Sequence, residues 1–526
     1  MLNDRIDELI LRVSDEFNGI LRANLYEIGL NDDELIKLKK RKREMRTALK
    51  NCGIGDIDAK NYIKGCIKDI LIKKINITEE NIENYICFSK SNKMSVREKF
   101  DVILYYYKKE DEYYALDNLC EKYKLTEPVK NSDKSFSYAI SEEAIEDIYE
   151  EENIYLSFVD KLEILVQRVY AGYKGLGIID EIRDMVIDGV SGGVSGTEGM
   201  LNSVWLFIKG KTVHLKFLEF ESEKEIERIC MNIYRFGYPG QFSMARGYIV
   251  NEMKDHSRVV VVRPPFSESF AFFVRKFNTI ENHSVSELLT DEGYQMVELI
   301  LKFIVKGCRV TGITGAQGSG KTTMLMALIG FIHPAYTLRI QEMAFELHLR
   351  DVYPERNILT FRETDTINGQ DALDLQKKTD GTVNILGEVA SAPVSSWLVQ
   401  MSMVGSLFTM FTHHAKTTKA LIKYMRNCLL SHGAFTNERI AEEQVVDAIN
   451  FDIHMEKDIT GHRYIERITE IVPKENSIDL YCAVDIVRFV NGRYILAGKI
   501  SDSAKKEIFK YLTREEQEEY DVIFGI

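Results

Sequence analysis

The chain has 526 residues, of which 45% are hydrophobic and 28% are charged. This is more than one compact core usually holds, so we expect two to four domains. The composition excludes a disordered, collagen-like or low-complexity protein. The formal net charge of −13 provides no electrostatic basis for wrapping nucleic acid, so we predict no nucleic-acid partner.

Residues 1–12 carry several charges and no apolar core, which does not fit a secretory signal peptide. No stretch reaches the roughly 18 uncharged apolar residues of a membrane span. The 8 cysteines form no C-x-x-C pair, which favours buried, reduced thiols over a disulfide framework or a zinc site. We therefore expect a cytoplasmic protein whose membrane contact, where there is one, is peripheral.

Residues 1–155 have the pattern of a helical region. Seven apolar residues share one face of a first helix at helical spacing: Ile6, Leu9, Ile10, Val13, Phe17, Ile20 and Leu21. The basic run at 37–46 has two interpretations, a solvated helix face, which we favour, and a surface for anionic lipid. The acidic stretch 142–152 precedes a change of sequence pattern, and we predict that it is an interdomain linker.

Helix and strand patterns mix between residues 156 and 283, which predicts an α+β domain. Its β-rich runs lie at 203–208, 213–217 and 259–262. From about 284 onward, strand and helix patterns alternate. Such alternation predicts a parallel sheet with helices on both faces.

A glycine-rich loop follows a short apolar strand at 310–314. The sequence from Gly315 to Thr322 matches G-x-x-x-x-G-K-[ST], and a helical pattern continues from Thr323. In this motif backbone N–H groups surround a phosphate, the lysine reaches the β- and γ-phosphates, and the hydroxyl after it ligates Mg²⁺. We therefore predict that ATP and Mg²⁺ bind at nine residues, with Thr322 as a metal ligand: Gly315, Ala316, Gln317, Gly318, Ser319, Gly320, Lys321, Thr322 and Thr323.

Three later strand-like runs end in residues suited to phosphate chemistry. The run 382–388 ends in Glu388, a carboxylate able to order Mg²⁺ or to polarise the attacking water. The run 338–342 ends in Glu342. A third run, 405–415, closes with His413 and His414, for which a γ-phosphate sensor is a better functional interpretation than a metal site.

This order of motifs resembles the secretion ATPases of the type II, type IV pilus and type IV secretion superfamily. The branch that it most resembles is the CpaF-type ATPase of Tad pilus assembly. Several segments outside the nucleotide motifs carry that resemblance: 175–177 (G-L-G), 255–259 (D-H-S-R-V), 263–265 (R-P-P), 273–277 (F-V-R-K-F), 468–472 (I-T-E-I-V) and 485–489 (D-I-V-R-F). The similarity covers residues 156 to about 515, whereas residues 1–155 match no family that we can name.

The resemblance implies an α/β protein with a RecA-like P-loop NTPase core, a preceding α+β domain and an N-terminal helical region. It divides the chain into a helical region at 1–155, an α+β domain at 156–283, an ATPase domain at 284–475, and closing strands with a helical tail at 476–526. It also implies a homo-hexamer that works with inner-membrane platform proteins at the cytoplasmic face of the membrane.

The resemblance also implies roles for single residues. Glu342 takes the position of a catalytic glutamate, Glu388 that of the Walker B glutamate and metal ligand, and either His413 or His414 that of the family histidine. Three arginines take positions where the family has catalytic arginines: Arg258, Arg275 and Arg362.

Some positions depart from the family pattern. Gln376, Lys378 and Ala390 stand where the family has basic residues, mostly arginine, and Met343 and Lys416 replace an Asp and an Asn. Lysine, glutamine and alanine do not reproduce the planar fork that arginine presents to phosphate. These departures leave nucleotide binding intact but weaken the case for fast turnover.

Three functions remain open from the sequence. The leading hypothesis is an ATP-hydrolysing ring motor for secretion or for Tad-like pilus assembly. The first alternative is a traffic ATPase of a conjugation-type (type IV secretion) system. The second is a nucleotide-binding ring subunit that does not hydrolyse ATP.

Overall fold

The computed structural model describes residues 2–22, 32–130, 136–196, 199–276, 283–343, 345–363, 367, 369–376, 378–458, 460–474 and 478–525. The chain forms two compact units, Met1–Asn278 and Thr279–Ile526, which we call the N-terminal and C-terminal units. The predicted boundaries at 155 and 475 lie inside these units, and the four-part division stays a prediction. Phe277, the last residue of the motif at 273–277, lies outside the described residues. Within the described part of the chain, no helix is both long enough and apolar enough to cross a membrane.

The N-terminal unit begins with helices and continues with a mixed region. Its helices are α1 (Leu2–Arg22), α2 (Asp32–Asn51), α3 (Ile57–Lys73), α4 (Val96–Lys108), α5 (Ala115–Lys122), α6 (Glu142–Glu152), α7 (Phe158–Tyr173), α8 (Asp180–Asp184) and α9 (Glu223–Ile233), with 3₁₀ turns at Ile82–Asn84, Ser91–Lys93 and Gly177–Ile179. Its strands are β1 (Val129–Lys130), β2 (Phe136–Ser137), β3 (Ala139–Ile140), β4 (Gly189–Gly192), β5 (Trp205–Ile208), β6 (Lys211–Leu215), β7 (Tyr248–Glu252), β8 (Arg258–Val262) and β9 (Ala271–Arg275).

The helical prediction for the first residues is confirmed, because α1 buries Ile6, Leu9, Val13 and Phe17. Ile20, predicted on the same face, is instead exposed. The basic run lies on α2, where exposure fits both a solvated face and a lipid surface, with these side chains exposed: Lys37, Lys39, Lys40, Arg41, Arg43 and Arg46.

The linker prediction for residues 142–152 is wrong. This stretch is α6, which packs against α4. Ile145 and Ile148 are three residues apart and therefore share a helix face, which is buried in the core of the N-terminal unit. The acidic side chains suggested a solvated linker, but two buried isoleucines are enough to dock a helix of this length.

The β-rich runs of the α+β region form β5, β6 and β8 of one seven-stranded sheet. Its strand order is β3-β6-β5-β4-β9-β8-β7. All neighbours pair antiparallel except β3 and β6, which are parallel. This mixture of helices and a mainly antiparallel sheet is the predicted α+β arrangement.

The C-terminal unit alternates strands and helices. Its helices are α10 (Val285–Leu288), α11 (Tyr294–Lys306), α12 (Lys321–Ile329), α13 (Leu349–Val352), α14 (Gly369–Gln376), α15 (Ala392–Val404), α16 (Thr418–Ser431), α17 (Glu438–Ala448), α18 (Asp502–Phe509) and α19 (Arg514–Phe524). Its strands are β10 (Thr311–Gly315), β11 (Leu338–Glu342), β12 (Ile358–Arg362), β13 (Val383–Leu386), β14 (Phe408–His413), β15 (Phe451–Lys457), β16 (Arg463–Pro473), β17 (Tyr481–Val490) and β18 (Arg493–Leu496).

These strands form one nine-stranded sheet in the order β12-β11-β13-β14-β10-β15-β16-β17-β18. The six strands from β12 to β15 run parallel, and the last three continue antiparallel. Every residue of β10, β11, β13 and β14 is buried, as expected for a parallel sheet covered on both faces. The predicted α/β core is therefore confirmed.

The strand order also explains where the motifs meet. β10 leads into the glycine loop, and β14 lies between β10 and β13, which precedes Glu388. This is the order of a RecA-like P-loop core. Because the strands are parallel, the glycine loop, Glu342, Glu388 and the two histidines all lie at the carboxyl ends of neighbouring strands, where ligands bind in open α/β sheets.

Candidate nucleotide-binding site

The glycine loop is held in place by close contact with the neighbouring strand. Gly315 has a φ of +142°, and a Cβ there would lie 2.2 Å from the backbone oxygen of Met455 on β15. Gly320, at φ +94°, immediately precedes α12. Only glycine tolerates these two positions without strain, so the backbone explains why the sequence has glycine at each.

Three donors in the loop converge on one acceptor, the backbone oxygen of Ala316. The Ser319 N–H lies 3.3 Å from it, the Ser319 Oγ 2.9 Å and the Lys321 Nζ 2.8 Å. Lys321 is only 7% exposed. The loop therefore aims an ammonium, a hydroxyl and an N–H at one point, beside the N-terminus of α12, and this donor set fits a phosphate oxygen.

His414 connects this loop to Glu388. Its Nδ1 lies 3.3 Å from the Nζ of Lys321, and its Nε2 lies 3.1 Å from the Oε1 of Glu388. Because an ammonium only donates, Nδ1 must accept, so the Nε2–H of a neutral ring donates to the carboxylate. Lys321, His414 and Glu388, which we call the loop-side cluster, thus form a continuous hydrogen-bonded connection.

His413 has a different environment from its neighbour. It is 6% exposed, and its ring lies 4.5 Å from that of Tyr424. Burial, together with the charge of the nearby Lys321 ammonium, lowers the pKa of His413 to about 4. Its Nδ1 forms no hydrogen bond with any described residue. Of the two candidate histidines, the structure brings His414 to the phosphate loop and packs His413 in the core.

Glu342 lies at the end of β11 and is 4% exposed. Its Oε1 accepts hydrogen bonds from the backbone N–H groups of Glu346 and Leu347, at 2.9 and 3.0 Å. A Cβ at Gly387 would lie 3.0 Å from the Glu342 Cγ, so the β13 end passes directly beside this carboxylate. In this arrangement Glu342 binds the backbone of the chain that follows its own strand. The side chain of Glu388, which is 39% exposed, instead contacts His414.

Arg362 lies one strand further out, directly opposite Glu342 in the β11–β12 register. Its guanidinium lies 4.8 Å from the centre of the Phe345 ring. At a strand spacing of about 4.8 Å, β12 is roughly 19 Å across the sheet from β10. We call Glu342 and Arg362 the far-edge pair. The family resemblance implies a catalytic role for Arg362, whereas its position on β12 predicts little effect on turnover.

The departures from the family pattern also have structural settings. Gln376 is 3% exposed, and its Nε2 lies 3.4 Å from the Gln341 Oε1. Lys378 is exposed, and the backbone oxygen of Ala390 accepts a hydrogen bond from the Tyr424 hydroxyl at 3.0 Å. A core amide and an exposed alanine thus occupy two of the positions where the family has basic residues.

Arg258 and Arg275 lie in the N-terminal unit, directly opposite each other on β8 and β9. Arg258 also lies opposite Glu252 on β7, so a carboxylate neighbours this arginine pair. The two arginines that the sequence singled out together are therefore neighbours in space. Their action on a nucleotide in the C-terminal unit stays a prediction.

The sequence interpretation missed two residues beside the loop. Arg463, the first residue of β16, donates from Nε to the backbone oxygen of Gly318 at 3.0 Å. Asp452 on β15 is fully buried and accepts from the hydroxyls of Thr314 and Thr418, both at 2.6 Å. A carboxylate inside the otherwise apolar start of β15 was a visible signal for Asp452, whereas no motif pointed to Arg463.

No protein-family model matches the chain, and no curated protein matches it. Solved structures do match. The VirB11 ATPase of the Brucella suis type IV secretion system is 18% identical, with a TM-score of 0.30, over 54% of this chain and 89% of that one. The Legionella pneumophila ATPase DotB is 14% identical, with a TM-score of 0.38, over 64% and 84%. The pilus retraction motor PilT, solved with ADP, is 15% identical, with a TM-score of 0.41, over 66% and 89%. Identities and TM-scores this low do not transfer an activity to this chain.

Proposed function

We propose that this protein is an ATPase that binds Mg·ATP at residues 315–323 and hydrolyses it. The observation that supports this most strongly is the connection Lys321–His414–Glu388 at the mouth of a complete phosphate loop. A phosphate loop alone needs only the lysine and the backbone donors. A carboxylate joined to that lysine through one imidazole supplies the group that hydrolysis needs beyond binding.

Each residue of the site has a distinct task in this proposal. Lys321 and the backbone N–H groups of the loop hold the phosphates. Thr322 and Glu388 would hold Mg²⁺, which when bound neutralises phosphate charge, and Glu388 also orients the attacking water. His414 senses the phosphate, because it accepts from Lys321 and donates to Glu388. A change in what Lys321 binds therefore reaches Glu388 through a single side chain.

We further propose that the ATPase is the motor of a type II or type IV secretion system or of a Tad-like pilus. The order of its motifs, and their resemblance to that superfamily, support this assignment. The proposed assembly is a homo-hexameric ring that engages inner-membrane platform proteins. Arg275 and Arg258 would be presented to nucleotide when the N-terminal unit closes over the site, since P-loop enzymes commonly complete the site with an arginine from elsewhere.

Peripheral attachment at the inner face of the membrane is also a proposal, and the basic face of α2 supports it. Each exposed Lys or Arg near an anionic lipid surface contributes about 1 kcal/mol. Co-sedimentation with anionic vesicles, compared between the wild type and a variant with Lys39, Lys40 and Arg43 changed to Glu, tests the attachment. We expect the variant to stay in the supernatant, and equal sedimentation of both proteins would contradict a role for α2.

The central experiment measures nucleotide affinity and phosphate release for the wild type and Lys321→Ala. We expect Lys321→Ala to lose ATP binding and turnover, because its ammonium is the charged donor of the loop. Lys510→Ala is the matched control, since Lys510 is an exposed lysine of the same unit paired with Glu507. Unchanged ATP affinity in Lys321→Ala would refute the site.

Phosphate release by the wild type separates the leading proposal from the non-hydrolysing alternative. Tight Mg·ATP binding without release by the assembled oligomer would favour a nucleotide-binding ring subunit. The conjugation-type alternative shares the site and the chemistry, and identification of the neighbouring genes distinguishes it.

A further inference from the structure

The hairpin formed by β15 and β16 borders the phosphate loop on the side opposite β14. β10 and β15 pair in parallel from Thr311–Phe451 to Gly315–Met455. A Cβ at Gly315 would lie 2.2 Å from the Met455 oxygen, so the loop begins directly against β15. Any side chain that this hairpin places over the loop is therefore held at a defined position.

The end of the hairpin is itself tightly organised. Asp458 accepts hydrogen bonds from the backbone N–H groups of Thr460 and His462, at 2.8 and 3.1 Å. The ring of His462 stacks on Tyr464, and its Nε2 lies 3.2 Å from the Oδ2 of Asp291. Because these contacts hold His462, Arg463 at the start of β16 is preorganised.

Arg463 lies along the outer rim of the phosphate loop. Its Nε–H donates to the Gly318 oxygen at 3.0 Å, and its Cδ lies 3.4 Å from the position of a Cβ at Gly320. Within the described residues, no carboxylate forms an ion pair with it. Arg463 is exposed, and its guanidinium donates to a loop carbonyl rather than to a carboxylate.

The Gly318–Ser319 peptide connects the Arg463 contact to the interior of the phosphate loop. The C=O of Gly318 and the N–H of Ser319 belong to one planar trans peptide, so they point in opposite directions. By holding the carbonyl outward, Arg463 turns the Ser319 N–H inward, toward the point where the Ser319 hydroxyl and Lys321 also aim. A hydrogen bond to a charged donor is roughly twice as strong as a neutral one, so it can hold this orientation.

We propose that Arg463 is a positioning residue that sets the Gly318–Ser319 peptide for phosphate binding. It acts on the loop that surrounds the β-phosphate rather than on the transferred phosphate. The inference rests on the proposed nucleotide site and adds to it a residue from outside the motif. It predicts that Arg463 contributes equally to ATP and ADP affinity and little to the chemical step.

The test measures ATP affinity, ADP affinity and kcat for full-length Arg463→Ala. We expect both affinities to fall by about tenfold, with kcat at saturating ATP within about twofold of the wild type. Arg463→Lys should recover only part of the loss, because it keeps the charge but lacks a donor at the Nε position. Arg488→Ala is the matched control, since Arg488 lies in the same sheet and pairs with Asp485. We expect it to match the wild type.

Several outcomes overturn the inference. A loss confined to ATP, or a large fall in kcat, would mean that Arg463 touches the γ-phosphate. Complete recovery by Arg463→Lys would show that charge alone matters, and unchanged affinities would make the contact irrelevant. If Arg463→Ala lowers the melting temperature, Arg463→Gln replaces it in the same measurements. A wild type that fails to bind either nucleotide would instead refute the proposed function, so the two failures are distinguishable.

Discussion

The loop-side cluster and the far-edge pair both lie at the carboxyl ends of strands of one sheet, yet their contacts differ. In the cluster, Lys321, His414 and Glu388 contact one another across β10, β14 and the end of β13. In the far-edge pair, Glu342 binds the backbone of its own following loop and Arg362 contacts the Phe345 ring. Both carboxylates follow parallel strands, but they differ in their partners and in their relation to the phosphate loop. We predict that this difference separates their roles.

The largest expected effect separates the two glutamates. Glu388→Gln should keep Mg·ATP binding but slow hydrolysis by about 10² or more, because the amide cannot polarise water as the carboxylate does. Glu342→Gln should slow it far less, since the Gln oxygen can still accept from Glu346 and Leu347. Single-turnover phosphate release with both variants measures this difference. A crippled Glu342→Gln beside an active Glu388→Gln would reverse the roles.

The second prediction concerns how His413, which is buried next to the loop-side cluster, affects the pH dependence of stability. The pKa of His413 in the folded protein is lowered to about 4, below its ordinary value near 6.5. As pH falls, the His413 imidazole is therefore protonated in the unfolded chain before it is protonated in the folded protein. The folded state keeps its full stability at pH 7 and loses unfolding free energy between about pH 6.5 and 4. Between pH 7 and 5 we expect the wild type to lose about 2 kcal/mol of unfolding free energy that His413→Gln does not lose. Urea unfolding of both proteins at the two pH values checks this, and parallel losses would contradict it.

The third prediction concerns whether the loop-side cluster is sufficient for ATP hydrolysis without an arginine from the N-terminal unit. If the N-terminal unit supplies Arg275 to the phosphates, Arg275→Ala should lower the maximal ATPase rate about tenfold with little change in ATP affinity. Activity per subunit of the wild type should also rise with protein concentration as rings assemble. Turnover and affinity across a dilution series provide the measurement. Normal turnover at every concentration would mean that the loop-side cluster needs no arginine from the other unit.

The smallest expected effect belongs to the far edge. Arg362→Ala should change turnover by less than about twofold, because β12 is separated from β10 by three strands and Arg362 already contacts Phe345. Steady-state ATPase assays at saturating ATP are sufficient. A tenfold loss would show that Arg362 moves toward the nucleotide during turnover. Its distance from the phosphate loop in this structure would then not determine its role.

The sequence by itself determined the phosphate loop, because a glycine motif between a strand and a helix has a local physical meaning. It also determined the alternating strands and helices of the core, since periodicity is a local property. The linker prediction at 142–152 failed because composition alone does not show which residues another helix covers, and Ile145 and Ile148 are covered.

Only the tertiary structure decided which of two adjacent histidines reaches the loop and which carboxylate it meets. His413 and His414 are equivalent in sequence, but His413 is the last residue of β14 and His414 is the first residue after it, so one packs on Tyr424 and the other meets Lys321. Arg463 and Asp452 escaped notice for the same reason. Asp452 lies 138 residues from its partner Thr314, and Arg463 lies 145 residues from its partner Gly318. The parallel pairing of β10 with β15 and the antiparallel pairing of β15 with β16 bring them to the loop.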